Sequence, residues 1–116
     1  RHGGRAGSIV NLSSGSAYIA NPHESVHYAV SKGAVNSFTI GLSQEVAGEG
    51  IRVNAVSPGL TRTDMPNPAK LEEMGPRLPM GRIGEPEEIA DTVLWLASDQ
   101  ASYVAGANIR VAGGRP

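Results

Sequence analysis

No cysteine occurs in the 116 residues. Disulfides and thiolate metal sites are thereby excluded, and a reducing compartment is permitted without being required. Neither sign of charge is in excess. The 10 Lys and Arg stand against 11 Asp and Glu, for a formal charge of -1, and the basic residues form no cluster. That balance gives no electrostatic reason to expect nucleic acid or an anionic membrane as partner. No apolar run approaches the ~18 residues of a membrane span, and no basic-then-apolar leader opens the chain. Internal repeats, low-complexity tracts and domain linkers are also missing. The length suits a single domain, and the expected setting is the cytoplasm. The chain opens Arg1-His2-Gly3-Gly4 without a methionine, so an N-terminal part is expected to precede it.

What is present is an alternation of short apolar runs and helical periodicity. Ser8-Ile9-Val10-Asn11-Leu12, followed by Ser13-Ser14-Gly15, reads as a buried strand. After a polar stretch to Pro22, the period becomes helical from about Ser25. Val26, Val30, Ala34, Phe38, Leu42 and Val46 then recur every fourth residue, until Gly48 and Gly50 end the helix. Ile51 to Ser57 forms a second strand stopped by Pro58-Gly59. Residues Leu60 to about Glu85 hold four prolines and one possible short helix near Lys70–Met74, which suggests an active-site lid. Pro86, with Glu87 and Glu88 behind it, starts a helix whose buried side is expected at Ile89, Val93, Leu94 and Leu96. Trp95 is expected in the core or at a subunit interface. Asn108 to Ala112 is the last strand, closed by Gly113-Gly114. Strand-helix-strand-helix-strand is an α/β pattern of the doubly wound, Rossmann-like kind with a parallel sheet. Ligands of such sheets bind beyond the carboxyl ends of the strands, and two of those ends are Ser13-Ser14-Gly15 and Ser57-Pro58-Gly59.

The chemistry centres on Tyr28-Ala29-Val30-Ser31-Lys32. Residues four apart on a helix share a face. A tyrosine hydroxyl ordinarily titrates near ~10, and a neighbouring ammonium favours its phenolate. That pairing makes a usable general acid or base near neutral pH. Ser14, at the end of the preceding strand, can hydrogen-bond the same substrate oxygen. Taken alone, the tyrosine–lysine pair is more often an ordinary surface pair.

The surrounding order changes that weighing. Gly7 to Ser14, Tyr28 to Lys32, Asn54-Ala55-Val56-Ser57-Pro58-Gly59, Thr63, Gly84 to Ala90, and Ala105-Gly106 to Gly113-Gly114 occur together. In this order they resemble the short-chain dehydrogenase/reductase family, in its C-terminal half. The likeness is to glucose-dehydrogenase-like and 3-oxoacyl-carrier-protein-reductase-like members. The resemblance implies hydride transfer between NAD or NADP and a carbonyl or secondary alcohol. Tyr28 would exchange the proton and also contact the cofactor. Lys32 would lower the tyrosine's pKa and hold the nicotinamide ribose, and Ser14 would orient the substrate oxygen. Pro58, Gly59 and the backbone of Thr61 would border the nicotinamide, with the Thr63 hydroxyl near its amide or the pyrophosphate. Homodimers or homotetramers through the long helix are implied too. An unbroken row of small residues, Ser25, Ala29, Gly33, Ser37 and Gly41, runs beside the apolar row there. Part of this combined face is expected to cover the protein's own sheet.

Two departures from the family accompany the likeness. Ser14 lies fourteen positions before Tyr28, one more than is commonest, which keeps Ser13 and Ser16 open as the working serine. The family's glycine-rich phosphate loop, ribose selector and catalytic asparagine would precede Arg1. The chain is therefore expected to be a single C-terminal portion, 1–116, inactive by itself. An incomplete product with no activity is the alternative. The polar residues Asn67, Lys70, Glu72 and Glu73 lean toward a polar substrate.

A competing motif overlaps this set. His23-Glu24-Ser25-Val26-His27 fits H-E-x-x-H, which places two zinc-binding imidazoles and a base on one helix, and Glu45 could be imagined as a third ligand. Pro22 and the helix start set His23 at or before the first turn, so the imidazoles need not share a face. A loop near the substrate mouth is the expected role, with no metal.

Overall fold

The computed structural model describes residues 6–63 and 68–116. Asn67, assigned from sequence to the polar loop, lies outside them. Three strands, β1 (Gly7–Leu12), β2 (Ile51–Pro58) and β3 (Asn108–Val111), form one parallel sheet in the order β1-β2-β3. Four helices connect or flank them: α1 (Ser16–Ile19), α2 (Val26–Val46), α3 (Pro68–Met74) and α4 (Pro86–Ala97). Leu12 pairs with Val56 and Pro58 with Val111, so the three carboxyl ends stand side by side.

The short helix α1 falls in what reads from sequence as polar loop. Four residues carry too little periodicity to announce a helix. It ends at Ala20, in the left-handed region at φ 60.

The two long helices cover opposite faces of the sheet, because alternate residues of a strand point to opposite sides. On one face Val56, Leu96 and Ala101 are fully buried, and Val10, Ile89, Val93, Ile109 and Val111 pack around them. Leu94, expected among these, is 70% exposed, and Trp95 is 41% exposed and outside the core. The reason is angular. Ile89, Val93 and Leu96 follow the helical repeat, whereas Leu94 and Trp95 are turned away from that stripe.

The other face departs further from expectation. The buried residues of α2 are Ala29, Thr39 and Ser43, and Thr39 accepts a hydrogen bond from Asn11 Nδ2 at 3.0 Å. A small and polar stripe therefore meets the sheet. Of the apolar row, Leu42 and Val46 are half-buried, while Val26, Val30, Ala34 and Phe38 face outward. The small row does not act as one surface either: Ala29 is buried, whereas Ser37 and Gly41 are exposed.

Three polar anchors fix the ends of these elements. Asn54, fully buried, donates to Val104 O at 2.8 Å and accepts from Ala107 N at 2.9 Å, pinning the loop that leads into β3. Arg52 donates to Leu96 O at 2.8 Å and Ser98 O at 3.1 Å, supplying a cation to the carbonyl end of α4. At the other end of α4, Glu88 accepts from Glu85 N at 2.8 Å and from both terminal nitrogens of Arg82 at 2.7 and 2.9 Å.

The Arg82 guanidinium, followed by the Glu85 amide, lowers the Glu88 carboxyl to about 2. A carboxyl whose folded pKa lies below its unfolded value adds stability above the unfolded pKa and loses it as pH falls toward the folded one. Glu88→Gln in the full-length protein should therefore lower Tm at neutral pH. The gap to wild type should close as pH falls from about 4.5 to about 2. Thermal melts across that range provide the check, and a gap that widens on acidification would contradict the pairing.

Candidate active site

Ser14, Pro58 and Gly59 stand at the carboxyl ends of β1 and β2 and line one cavity, whose lining does not include Tyr28, Lys32, Thr61 or Thr63. Ser13 is buried and turned into the fold. Its amide bonds Val56 O at 2.8 Å, and its hydroxyl donates to Lys32 O at 3.1 Å. Ser16 Oγ accepts from Asn21 Nδ2 at 2.8 Å. Ser14 borders an open cavity, and its Oγ accepts from Ser16 N at 3.1 Å. Ser16 lines the same cavity, and each of the two hydroxyls accepts one hydrogen bond and keeps its own proton to donate.

Tyr28 and Lys32 lie one turn apart near the start of α2. Lys32 Nζ stands 5.7 Å from the centre of the Tyr28 ring and donates to Leu12 O at 3.1 Å. The lysine thus ties the helix to the end of β1, two residues before Ser14, and its ammonium keeps further donors available. Tyr28 is 42% exposed. The structure brings the lysine and tyrosine together and sets the serine at the end of the same strand. Among the described residues no hydrogen bond joins Tyr28 to Ser14.

The cavity beside Ser14 has a volume of about 500 Å³. Gly15, Pro58 and Gly59 form its floor at the strand ends, and Ile19, Leu60, Leu71 and Met74 give it apolar walls. The segment entering α2 adds Asn21 and Glu24. Ala20, Asn21 and His23 in that segment all have positive φ, at 60, 42 and 65. Such strain in non-glycine residues is concentrated at ligand clamps and active sites. Asn21 holds the segment by donating to both Ser16 and Ser25 hydroxyls.

Beyond β2 the chain bends at Leu60. Gly59 N donates to Val111 O at 2.9 Å, and a Cβ on Gly59 would fall 2.7 Å from that of Ala112. Close packing of two strand ends therefore requires glycine here. Thr61 forms a parallel bridge with Gly84, whose bonds run through Leu60 O and Arg62 N at 2.9 and 2.8 Å. In that geometry the N–H and C=O of Thr61 itself point away from Gly84. The Thr61 hydroxyl donates to Gly59 O at 3.1 Å, and Thr63 is exposed. Arg62 joins Glu72 of α3 to Glu85 before α4, at 2.6 and 3.2 Å, closing the loop across the site.

The H-E-x-x-H residues do not share a helix. His23 sits in the strained segment, and α2 starts only at Val26, so His27 alone is helical. Among the described residues, no three His, Asp or Glu side chains converge as a metal site. Sequence reasoning missed the group opposite Ser14. Arg110 on β3 lies over the Tyr18 ring at 4.5 Å, and Asn108 donates to the Tyr18 hydroxyl at 2.9 Å. An arginine between Ile109 and Val111 in a strand was the available signal.

Parallel strands ending together at a serine, with a tyrosine–lysine pair on the following helix, define an α/β scaffold of the doubly wound class. The family model described as enoyl-(acyl carrier protein) reductase matches residues 1–115, and the chain belongs to the short-chain dehydrogenase/reductase family. It is 46% identical over 119 residues to the uncharacterized oxidoreductase YgfF of Escherichia coli K12, covering 99% of this chain and 48% of that protein. It is 47% identical to the 3-oxoacyl-[acyl-carrier-protein] reductase FabG of Thermotoga maritima, covering 95% and 46%. Galactitol 2-dehydrogenase of Cereibacter sphaeroides is 49% identical, with 94% and 45% covered. A crystal structure of 3-oxoacyl-[acyl-carrier protein] reductase from Brucella melitensis superposes with TM-score 0.87 at 42% identity, over 95% of this chain and 42% of that one. The chain spans just under half the length of these relatives.

Proposed function

We propose that the full-length protein is an NAD- or NADP-dependent oxidoreductase acting on a carbonyl or secondary alcohol, with Ser14, Tyr28 and Lys32 as its catalytic set. The observation that carries this reading is the shared helical face of Tyr28 and Lys32, with Lys32 bonded to the end of the strand that delivers Ser14. The donor set suits a nicotinamide ribose. Lys32 spends one of its three donors on Leu12 O, and Thr61 turns its backbone groups away from the bridge to Gly84. Pro58, Gly59, Thr61 and Thr63 would border the nicotinamide, which supplies or accepts the hydride. Ser14 would hold the substrate oxygen, Tyr28 would give or take its proton, and Lys32 would favour the phenolate by its charge. Residues 1–116 would form the C-terminal portion of that protein, and a homodimer or homotetramer through α2 is part of the proposal.

Lys32 tests the two roles at once. In the full-length protein Lys32→Met should raise KM for the nicotinamide cofactor and lower kcat by at least about tenfold. Following reduced-nicotinamide absorbance at varied cofactor concentration reads both effects. A variant with wild-type KM and kcat would overturn the assignment.

A further inference from the structure

The cavity beside Ser14 carries an uneven charge. Its charged lining side chains are Glu24 against Lys70, Arg110 and Arg115. Arg110 is the most constrained of them. Its guanidinium rests on the Tyr18 ring, and Tyr18 is fixed in turn by Asn108, which accepts from Ser57 Oγ at 2.7 Å. Nη2 donates to Arg115 O at 2.8 Å. Nη1 is enclosed without any acceptor, and no described carboxylate pairs with the group. The Tyr18 ring and Arg115 O replace part of the hydration lost by this half-buried guanidinium, and Nη1 is left without an acceptor among the described residues.

The position of the guanidinium matters as much as its charge. A Cβ built on Gly15 would lie 2.9 Å from Nη1, so the guanidinium sits against the residue next to Ser14. The absence of a side chain at Gly15 is what lets it approach. Resting on the reading of Ser14 as the group that holds the reacting oxygen, we infer that Arg110 is a specificity-determining residue that binds a carboxylate on the substrate. The substrate class is an oxo acid or the matching hydroxy acid, since Ser14 and Arg110 line the same cavity. A modest rotation of the guanidinium, with Tyr18 as its platform, would present its planar fork to the acid in the two-point manner that arginine favours.

The test uses the full-length protein, with 3-oxobutanoate and 4-oxopentanoate set against their methyl esters, and glutarate set against glutaramide as unreactive binding probes. Wild type should favour the acids over the esters in kcat/KM by at least about tenfold, the usual worth of a charge-assisted pair. Glutarate, and not glutaramide, should raise its Tm. In Arg110→Met the acid-to-ester ratio should fall to about one and the glutarate shift should vanish, while Arg110→Lys should restore part of both. A wild type that prefers the esters, or shows no glutarate shift, overturns the inference. So does an Arg110→Met in which acids and esters fall together, since the arginine would then only brace the wall at Gly15 and Tyr18. If glutarate binds through Arg110 while neither oxo acid is reduced, the role of Arg110 in substrate choice is overturned and the oxidoreductase reading is untouched, whereas it is the Tyr28 and Lys32 variants that test that reading.

Discussion

Tyr28→Phe in the full-length protein should lower turnover by at least about 10²-fold while leaving cofactor affinity close to wild type. The phenol oxygen is the only atom lost, and a positioned proton donor contributes about 10²–10⁴-fold. The ring would remain, so Lys32 keeps its stance 5.7 Å from the ring centre and its bond to Leu12 O. Binding and chemistry should therefore separate. Steady-state rates report the chemistry and cofactor titration the binding. Near-normal turnover would remove Tyr28 from the mechanism. An equal loss of cofactor binding would indicate that the hydroxyl serves the cofactor site rather than the proton.

Phe38→Glu should convert an associating protein into monomers, or into aggregates should the uncovered face prove too apolar. The expectation rests on the inversion seen in α2. Its small and polar stripe meets the sheet, while Val26, Val30 and Phe38 are 52%, 67% and 58% exposed. An apolar row on an outward helical face calls for a cover, and helices with ridges spaced by four interdigitate with one another. A second copy related by a two-fold axis would present the same row to itself. A carboxylate buried there without a partner costs about 3 kcal/mol or more, roughly two decades in Kd. Light scattering of wild type and variant at micromolar concentration decides the matter. Wild-type monomers would overturn the proposal of self-association through α2.

The strands and long helices were legible in the sequence because each has a clear start or stop. Pro58-Gly59 ends β2, Gly50 takes φ 78 after α2, and Pro86 opens α4. The inward face of α2 was not legible. Periodicity identifies which residues share a stripe, and the usual inference sends the apolar stripe inward. Here Thr39 and Asn11 satisfy each other between helix and sheet, so a polar stripe could be buried. Leu94 and Trp95 misled for a related reason: apolar neighbours along the chain point in different directions around a helix. At the site, Tyr28 with Lys32 followed from spacing alone. The Arg110–Tyr18 group did not, because it joins residues far apart in the chain through the sheet. The strained segment at Ala20–His23 was hidden too, since Ala20 is not of a type that favours the left-handed region and lone Asn21 and His23 do not announce it.

The pairing of β1 with β2 and of β2 with β3 has a kinetic consequence. Among the described residues every strand pairing is parallel, so none of these can form by a local hairpin, and each must wait for an intervening crossover to close. Gly7 meets Ile51 and Ala55 meets Asn108. Closing loops of that length before any sheet contact rewards them slows folding. During that interval β2, whose Val53, Ala55 and Val56 end fully buried, would be unpaired along both edges. The central strand is thus the segment most open to pairing with another chain, and refolding yield should fall as protein concentration rises.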